Sequence, residues 1–230
     1  MKTLGLIGGM SSESTAIYYR LLNEGVNLRV GGVSSASLIV WSFDFAPIAA
    51  AQSAGEWDAL TLKLADAARR LEAAGADAVM ICANTMHKMA DEVQAAVGVP
   101  LLHIADATAA AILATPSRRP ALFATRYVME QDFIKSRLKD RFGIDVLIPD
   151  EADRAELHRI IFEELVVGVV KPESKAAFAA MVERLRAAGA DGVILGCTEF
   201  GMLMTQAETD LPVFDTALIH AKAGVDFALQ

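Results

Sequence analysis

The hydrophobic and polar positions of this chain follow the same order twice. Residues 71–85 read LEAAGADAVMICANT and residues 185–199 read LRAAGADGVILGCTE, so a shift of 114 positions superposes the two segments without a gap. Each copy reads as the end of a helix, a glycine turn and an apolar run that is too short for a helix. The runs show no polar alternation, which is typical of parallel strands covered on both faces. The repeat therefore predicts two related halves, each with a buried strand after a helix.

The rest of the pattern predicts an α/β fold of two similar domains. Further strands are expected at residues 2–8, 37–42, 99–103, 145–148, 211–214 and directly after residue 119, with helices between them. The length of 230 residues suits two domains of about a hundred residues each. We expect a first lobe of residues 1–99 plus 211–230 and a second lobe of residues 100–210. A pseudo-twofold axis would relate their mostly parallel sheets, with the active site in the cleft between them.

Small residues, most of them polar, follow both repeated strands. Ligands of open α/β sheets bind beyond the carboxyl ends of the strands, so residues 82–85 and 196–199 are the predicted rims of one site. Under the shift of 114 positions, Cys197 matches Ala83, whereas Cys82 is one position out of register. Because neighbouring strand residues point to opposite faces, Cys82 is not expected to replace a functional group at position 83.

Composition and charge narrow the classes of function. The net charge of −8 and the pI near 5.0 argue against a nucleic-acid partner. The first turn, GLIGGMSSES, in which Ser12 or Ser14 would cap the next helix, lacks the G-x-G-x-x-G spacing and so disfavours a phosphate cofactor. The apolar start is short and interrupted by glycines, and no uncharged stretch reaches the ~18 residues of a membrane span. We therefore expect a cytoplasmic protein without a membrane partner, whose two cysteines remain thiols.

Cys197 is the strongest candidate for chemistry. The backbone N–H groups of a helix after it would lower the pKa of its thiol, whereas Glu199 would act in the opposite sense. A thiolate here could serve as a nucleophile, as a general base at a carbon acid or as a metal ligand, although one thiol per rim makes a metal site unexpected. The carbon-acid interpretation fits the duplication best, because inverting a stereocentre needs a proton-transfer group on each face. Asn84, Thr85 and Thr198 could then hold a carboxylate.

Three motifs resemble the aspartate/glutamate racemase family, in particular its bacterial branch that acts on acidic or broader amino acids. They are GLIGGMSSEST at the N-terminus, CANTMH at 82–87 and GCTEF at 196–200. The resemblance implies two α/β domains, no pyridoxal phosphate or other cofactor, and a small amino acid or other carboxylic acid as the partner. It also implies that Cys197 and residue 83 form the acid/base pair. Most members carry cysteine at both positions, and some carry threonine at the position of residue 83. The candidate substrate-binding residues, some of which lie at the strand ends, are Met10, Ser11, Gln52, Asn84, Thr85, Thr125, Thr198 and Glu199.

The chain departs from this family pattern at the decisive position, because Ala83 carries no acid or base. The loop predicted at 43–52, FDFAPIAAAQ, also lacks the cation with which aspartate-specific members hold a side-chain carboxylate, and Arg126 is a candidate replacement. Three hypotheses follow: a racemase that is impaired or inactive, a single-cysteine decarboxylase or isomerase of small acids, and a non-catalytic amino-acid-binding protein. A homodimer is compatible with all three.

Overall fold

The computed structural model describes residues 1–230, and their contacts divide the chain into two compact units. The first unit comprises Met1–His103 and His220–Gln230, and the second comprises Ile104–Ile219. Both boundaries lie beyond those suggested by the sequence, at residue 103 instead of 99 and at residue 219 instead of 210. None of the helices combines the length and the hydrophobicity that a membrane span requires.

The first unit is built on a parallel sheet of order β2-β1-β3. Its elements are β1 (Leu4–Gly8), α1 (Ser12–Val30), β2 (Leu38–Ser42), α2 (Phe45–Ala54), α3 (Trp57–Ala73), β3 (Ala78–Ile81), a 3₁₀ turn (Thr85–Met89) and α4 (Ala90–Ala95). All residues of β1 and β3 are buried, as their unbroken apolar character predicts. The expected strand at 99–103 is reduced to a single parallel bridge between Leu101 and Val79.

Helix α2 is an element that the sequence pattern does not predict. The segment FDFAPIAAAQ was expected to be a loop, but Asp44 caps a helix by accepting a hydrogen bond from the Ala46 N–H at 3.2 Å. Pro47 fits within the first turn, where the backbone N–H groups have no helical partner. Gly55, with φ of +74°, ends the helix. A proline that suggests a loop is therefore compatible with the start of a helix.

The second unit repeats this plan with a parallel sheet of order β4-β5-β6. Its elements are α5 (Ile104–Leu113), β4 (Ala121–Ala124), α6 (Arg126–Glu130), α7 (Phe133–Phe142), α8 (Glu151–Glu163), α9 (Pro172–Ala187), β5 (Val193–Gly196), β6 (Val213–Asp215) and the start of α10 (Thr216–Ala228). The sequence assigned residues 211–230 to the first lobe, but β6 pairs with β5 and so lies in the second unit. Only the residues of α10 from His220 onward belong to the first unit. The expected strand at 145–148 is again one bridge, between Leu147 and Ala121.

The repeated aspartates stabilise equivalent turns. Asp77 accepts a hydrogen bond from the Thr3 N–H at 2.7 Å, and Asp191 accepts bonds from the N–H groups of Arg118 and Arg119 at 2.8–3.0 Å. Each carboxylate thereby joins the turn before one strand to the chain that enters the neighbouring strand. Both copies of the repeat thus contain a structural carboxylate.

His220 is buried in the first unit as a neutral imidazole. Its Nε2 lies 2.7 Å from the carbonyl oxygen of Leu102, so Nε2 donates, and its Nδ1 accepts from the hydroxyl of Tyr18 at 2.8 Å. Burial lowers the pKa of His220 from 6.5 to about 4. Both ring nitrogens are therefore satisfied without an added proton.

This burial should make the stability of the protein fall as the pH drops from 6.5 towards 4. Over that range the unfolded chain binds a proton that the folded chain does not, which costs about 1.4 kcal/mol per pH unit and on the order of 3 kcal/mol in all. His220→Gln should remove this part of the pH dependence. Urea denaturation of both proteins across the range measures it, and parallel stability profiles would contradict the assignment.

Candidate functional site

All predicted site residues of the first unit except Gln52 lie at the carboxyl ends of two adjacent strands. The order β2-β1-β3 places its reversal between β1 and β3, which is where open α/β sheets bind ligands. Met10 and Ser11 follow β1, and Ala83, Asn84 and Thr85 follow β3. All five are largely buried. We call residues 9–11 and 82–85 the first rim.

The turn after β1 is fixed by glycine and by three hydroxyl groups. Gly9 has φ of +78°, and a Cβ there would lie 2.1 Å from the carbonyl oxygen of Phe43, so no other residue fits. Its N–H donates to Thr15 Oγ1 at 2.7 Å. The side chain of Ser11, rather than Ser12 or Ser14, caps α1. The Ser14 hydroxyl is engaged elsewhere.

That Ser14 hydroxyl connects the two strands of the first rim. It donates to the carbonyl oxygen of Cys82 at 2.7 Å and so ties the start of α1 to the end of β3. The Cys82 side chain itself is fully buried, and burial raises the pKa of its thiol far above the usual range. Cys82 is accordingly a small core residue that stays protonated.

Ala83 lies among apolar side chains that include Met10 and Met86. Gln52, on α2, donates from Nε2 to the sulfur of Met86 at 3.0 Å and therefore reaches the turn that follows Ala83. His87 is buried, and its Nδ1 lies 2.9 Å from the carbonyl oxygen of Ala83. The spacing of four residues between Ala83 and His87 is the only sequence signal for this contact.

The second unit has an equivalent arrangement at the ends of β4 and β5. Ala124 and Gly196 are paired at the last position of the two strands, so Thr125 and Cys197 follow side by side. We call residues 125 and 196–199 the second rim. Arg126, the candidate cation, is about half exposed, and its Nε lies 3.9 Å from Glu130.

Cys197 donates its thiol proton to a carboxylate. The distance from Cys197 Sγ to Glu199 Oε2 is 3.0 Å, and the Thr198 hydroxyl donates to the same oxygen at 2.6 Å. Glu199 is only 3% exposed. Glu199 is one of the candidate substrate-binding residues, and its spacing of two residues from Cys197 is the signal in the sequence for this contact. The carboxylate is in position to accept the thiol proton.

The structure decides between the two opposing effects that the sequence indicates for the pKa of Cys197. Burial, followed by the charge of Glu199 and its hydrogen bond, raises the pKa of the Cys197 thiol well above its ordinary value. The backbone N–H groups of Thr198 and Glu199 act in the opposite sense, as predicted, but more weakly. The reason is that only a short 3₁₀ turn, Phe200–Met202, follows in place of a helix with a sizeable dipole. Cys197 is therefore a thiol at rest.

The two rims differ in their chemistry. The second carries a thiol and a carboxylate in contact, whereas the first carries amide, hydroxyl and methyl groups and the imidazole of His87 behind them. Nowhere does the structure bring together three or more His, Cys, Asp or Glu side chains in a way that could hold a metal ion. The arrangement can move a proton at Cys197, and Ala83 offers no counterpart.

Comparisons with known proteins agree with the motifs. A family model described as Asp/Glu/Hydantoin racemase matches residues 7–224. The broad specificity amino-acid racemase RacX of Bacillus subtilis (strain 168) is 24% identical over 172 residues, which are 73% of this chain and 72% of that protein. A candidate Asp/Glu racemase from Yersinia pestis is 47% identical with a TM-score of 0.93, and an aspartate racemase homologue from Pyrococcus horikoshii OT3 is 36% identical with a TM-score of 0.88. Both structures align over the full length of both chains. Because the family model covers nearly the whole chain, the resemblance is confirmed, and this chain belongs to the Asp/Glu/hydantoin racemase family.

Proposed function

We propose that this protein is a cofactor-independent amino-acid racemase in which only one of the two proton-transfer positions is functional. The observation that carries the proposal is the contact of the Cys197 thiol with Glu199 at 3.0 Å, combined with alanine at the repeat-equivalent position 83. A two-base reaction would use residue 83 for one face of the α-carbon and Cys197 for the other. With Ala83 present, inversion should be slow.

The proposed step at Cys197 is a proton relay. Glu199 accepts the thiol proton, and the thiolate then takes the hydrogen of the α-carbon, whose bonding electrons remain on the substrate as a carbanion delocalised into its carboxylate. Asn84, Thr85 and Thr198 are the proposed donors to that carboxylate, whose negative charge grows in the transition state. Once the proton on Cys197 has been replaced by solvent-derived hydrogen from Glu199, its return to the same face regenerates the starting enantiomer. The expected signature is exchange of the α-hydrogen without inversion.

We propose a broad range of side chains for the substrate. The segment 43–52, whose Gln52 contacts Met86 just after the first rim, contains no cation, and Arg126 is half exposed beside Glu130. A dedicated clamp for an acidic side chain is therefore not evident in either rim. The name of the Bacillus subtilis relative, a broad specificity amino-acid racemase, is in line with this proposal.

The test is incorporation of deuterium at the α-carbon in D₂O, measured by proton NMR for L- and D-aspartate, glutamate and several neutral amino acids separately. One enantiomer of at least one amino acid should exchange much faster than it inverts. If no amino acid exchanges or binds, the racemase proposal is wrong.

A second candidate function follows from the single thiol. Decarboxylation of a malonate-like acid needs a proton delivered to one face of the enediolate, and Cys197 alone can deliver it. Release of carbon dioxide from aryl- or alkylmalonates by the unaltered protein, lost in Cys197→Ala, would favour this function over racemisation. Absence of such turnover alongside amino-acid exchange would exclude it.

A further inference from the structure

We propose that His87 is a positioning residue of the first rim, whose ring N–H holds the backbone of Ala83 so that Asn84 and Thr85 stay oriented towards the substrate carboxylate. The inference rests on the proposed function, because it assigns the support behind the proposed carboxylate-binding residues. His87 is not proposed to touch the substrate or the reacting atoms.

The 3₁₀ turn Thr85–Met89 has a hydrogen-bond pattern that includes the side chain of His87. In an α-helix the N–H of residue 87 would donate to the carbonyl of residue 83. Here the His87 N–H donates to the carbonyl of Asn84 at 3.1 Å, in 3₁₀ geometry, which leaves the Ala83 carbonyl without that bond. The His87 side chain takes it instead, with Nδ1 at 2.9 Å. Since a carbonyl can only accept, Nδ1 carries the hydrogen.

The ring of His87 is held in place by two other imidazole rings. The ring of His103 lies 4.7 Å away between centroids, and the ring of His220 lies 5.7 Å away, edge to face. His220 is fixed in turn by the Leu102 carbonyl and the Tyr18 hydroxyl. The rings of His103 and His220 thus pack against His87, and the phenol of Tyr18 lies behind His220. A rigid, buried ring can hold the Ala83 carbonyl in one orientation.

The second rim lacks a side chain equivalent to His87. The repeat places Gly201 at the position of His87, and a Cβ on Gly201 would lie 3.1 Å from Asp215 Oδ2. The carbonyl of Cys197 instead receives the backbone N–H of Phe200 at 3.0 Å. The imidazole therefore supports only the rim that lacks a proton-transfer side chain, which points to a role in holding substrate.

The test compares His87→Leu with the matched variant His87→Asn. The side-chain amide of asparagine can place an N–H near the position of Nδ1, whereas leucine fills the volume without a donor. The affinity for L-aspartate and L-alanine, measured by calorimetry, should fall about tenfold in His87→Leu, which is the size expected for the loss of one buried hydrogen bond. The affinity should recover in His87→Asn. Deuterium exchange at saturating amino acid should change less than binding does, because Cys197 and Glu199 are untouched.

A second measurement does not depend on activity. Long-range ¹H–¹⁵N NMR of the unaltered protein should show His87 protonated on Nδ1. An Nε2–H tautomer, or binding that His87→Leu leaves unchanged while the unaltered protein binds amino acids, would overturn the positioning role alone. An unaltered protein that binds none of the amino acids would overturn the proposed function as well.

Discussion

Replacement of Ala83 by cysteine is expected to raise the rate of racemisation by about a thousandfold, within the range of 10² to 10⁴ that positioned acid/base groups contribute. The reason is the symmetry of the proposed reaction. Cys197 can remove or return a proton on one face of the α-carbon, and inversion requires a second group for the other face. Position 83 matches position 197 in the repeat, so a thiol there supplies the equivalent group.

The substitution should be tolerated by the first rim. Ala83 retains 8% of its surface exposed, and it belongs to an apolar cluster with Met10 and Met86, whose flexible side chains can shift to admit one sulfur atom. The measurement is polarimetric or chiral-chromatographic conversion of each enantiomer. Ala83→Ser is the control, because it has a similar size but a much weaker acid/base group. Equal rates for Ala83→Cys and the unaltered protein would refute the two-base assignment.

Replacement of Cys197 by alanine is expected to lower α-hydrogen exchange by at least about a thousandfold, because it removes the base of the proposed relay. Binding should be affected much less, since the proposed carboxylate donors Asn84, Thr85 and Thr198 remain. Deuterium incorporation and calorimetric binding of the same amino acid separate the two effects. Exchange that persists in Cys197→Ala would assign the base to another residue.

Glu199→Gln tests the contact between Cys197 and Glu199 directly. It keeps the shape of the side chain and removes the charge that helps to raise the pKa of the Cys197 thiol. The pKa of the thiol should therefore fall, although burial still holds it above the ordinary value. The pH dependence of alkylation by iodoacetamide, in a Cys82→Ala background, measures the change. A profile that stays in place or moves to higher pH would contradict the contact between Cys197 and Glu199.

The elements that the sequence predicted well are those set by local pattern. The repeated segments form α3 with β3 and α9 with β5, as their shared pattern predicts. These features depend on residues close together in the chain, and hydrophobic periodicity reports such residues directly. The segment 43–52 was missed because its proline fits a loop as well as the first turn of a helix. Strand β6 was expected in the wrong lobe because the hydrophobic pattern of a strand does not indicate the strand with which it pairs.

By itself the sequence determined the duplicated α/β plan, the family and the mismatch of Ala83 with Cys197. Only the tertiary structure decided the protonation of Cys197 and the support of Ala83 by His87. The physical reason is the same for both. A pKa depends on burial and on the charges that packing brings near, and the rings of His103 and His220 reach His87 through folding rather than through adjacency in the chain.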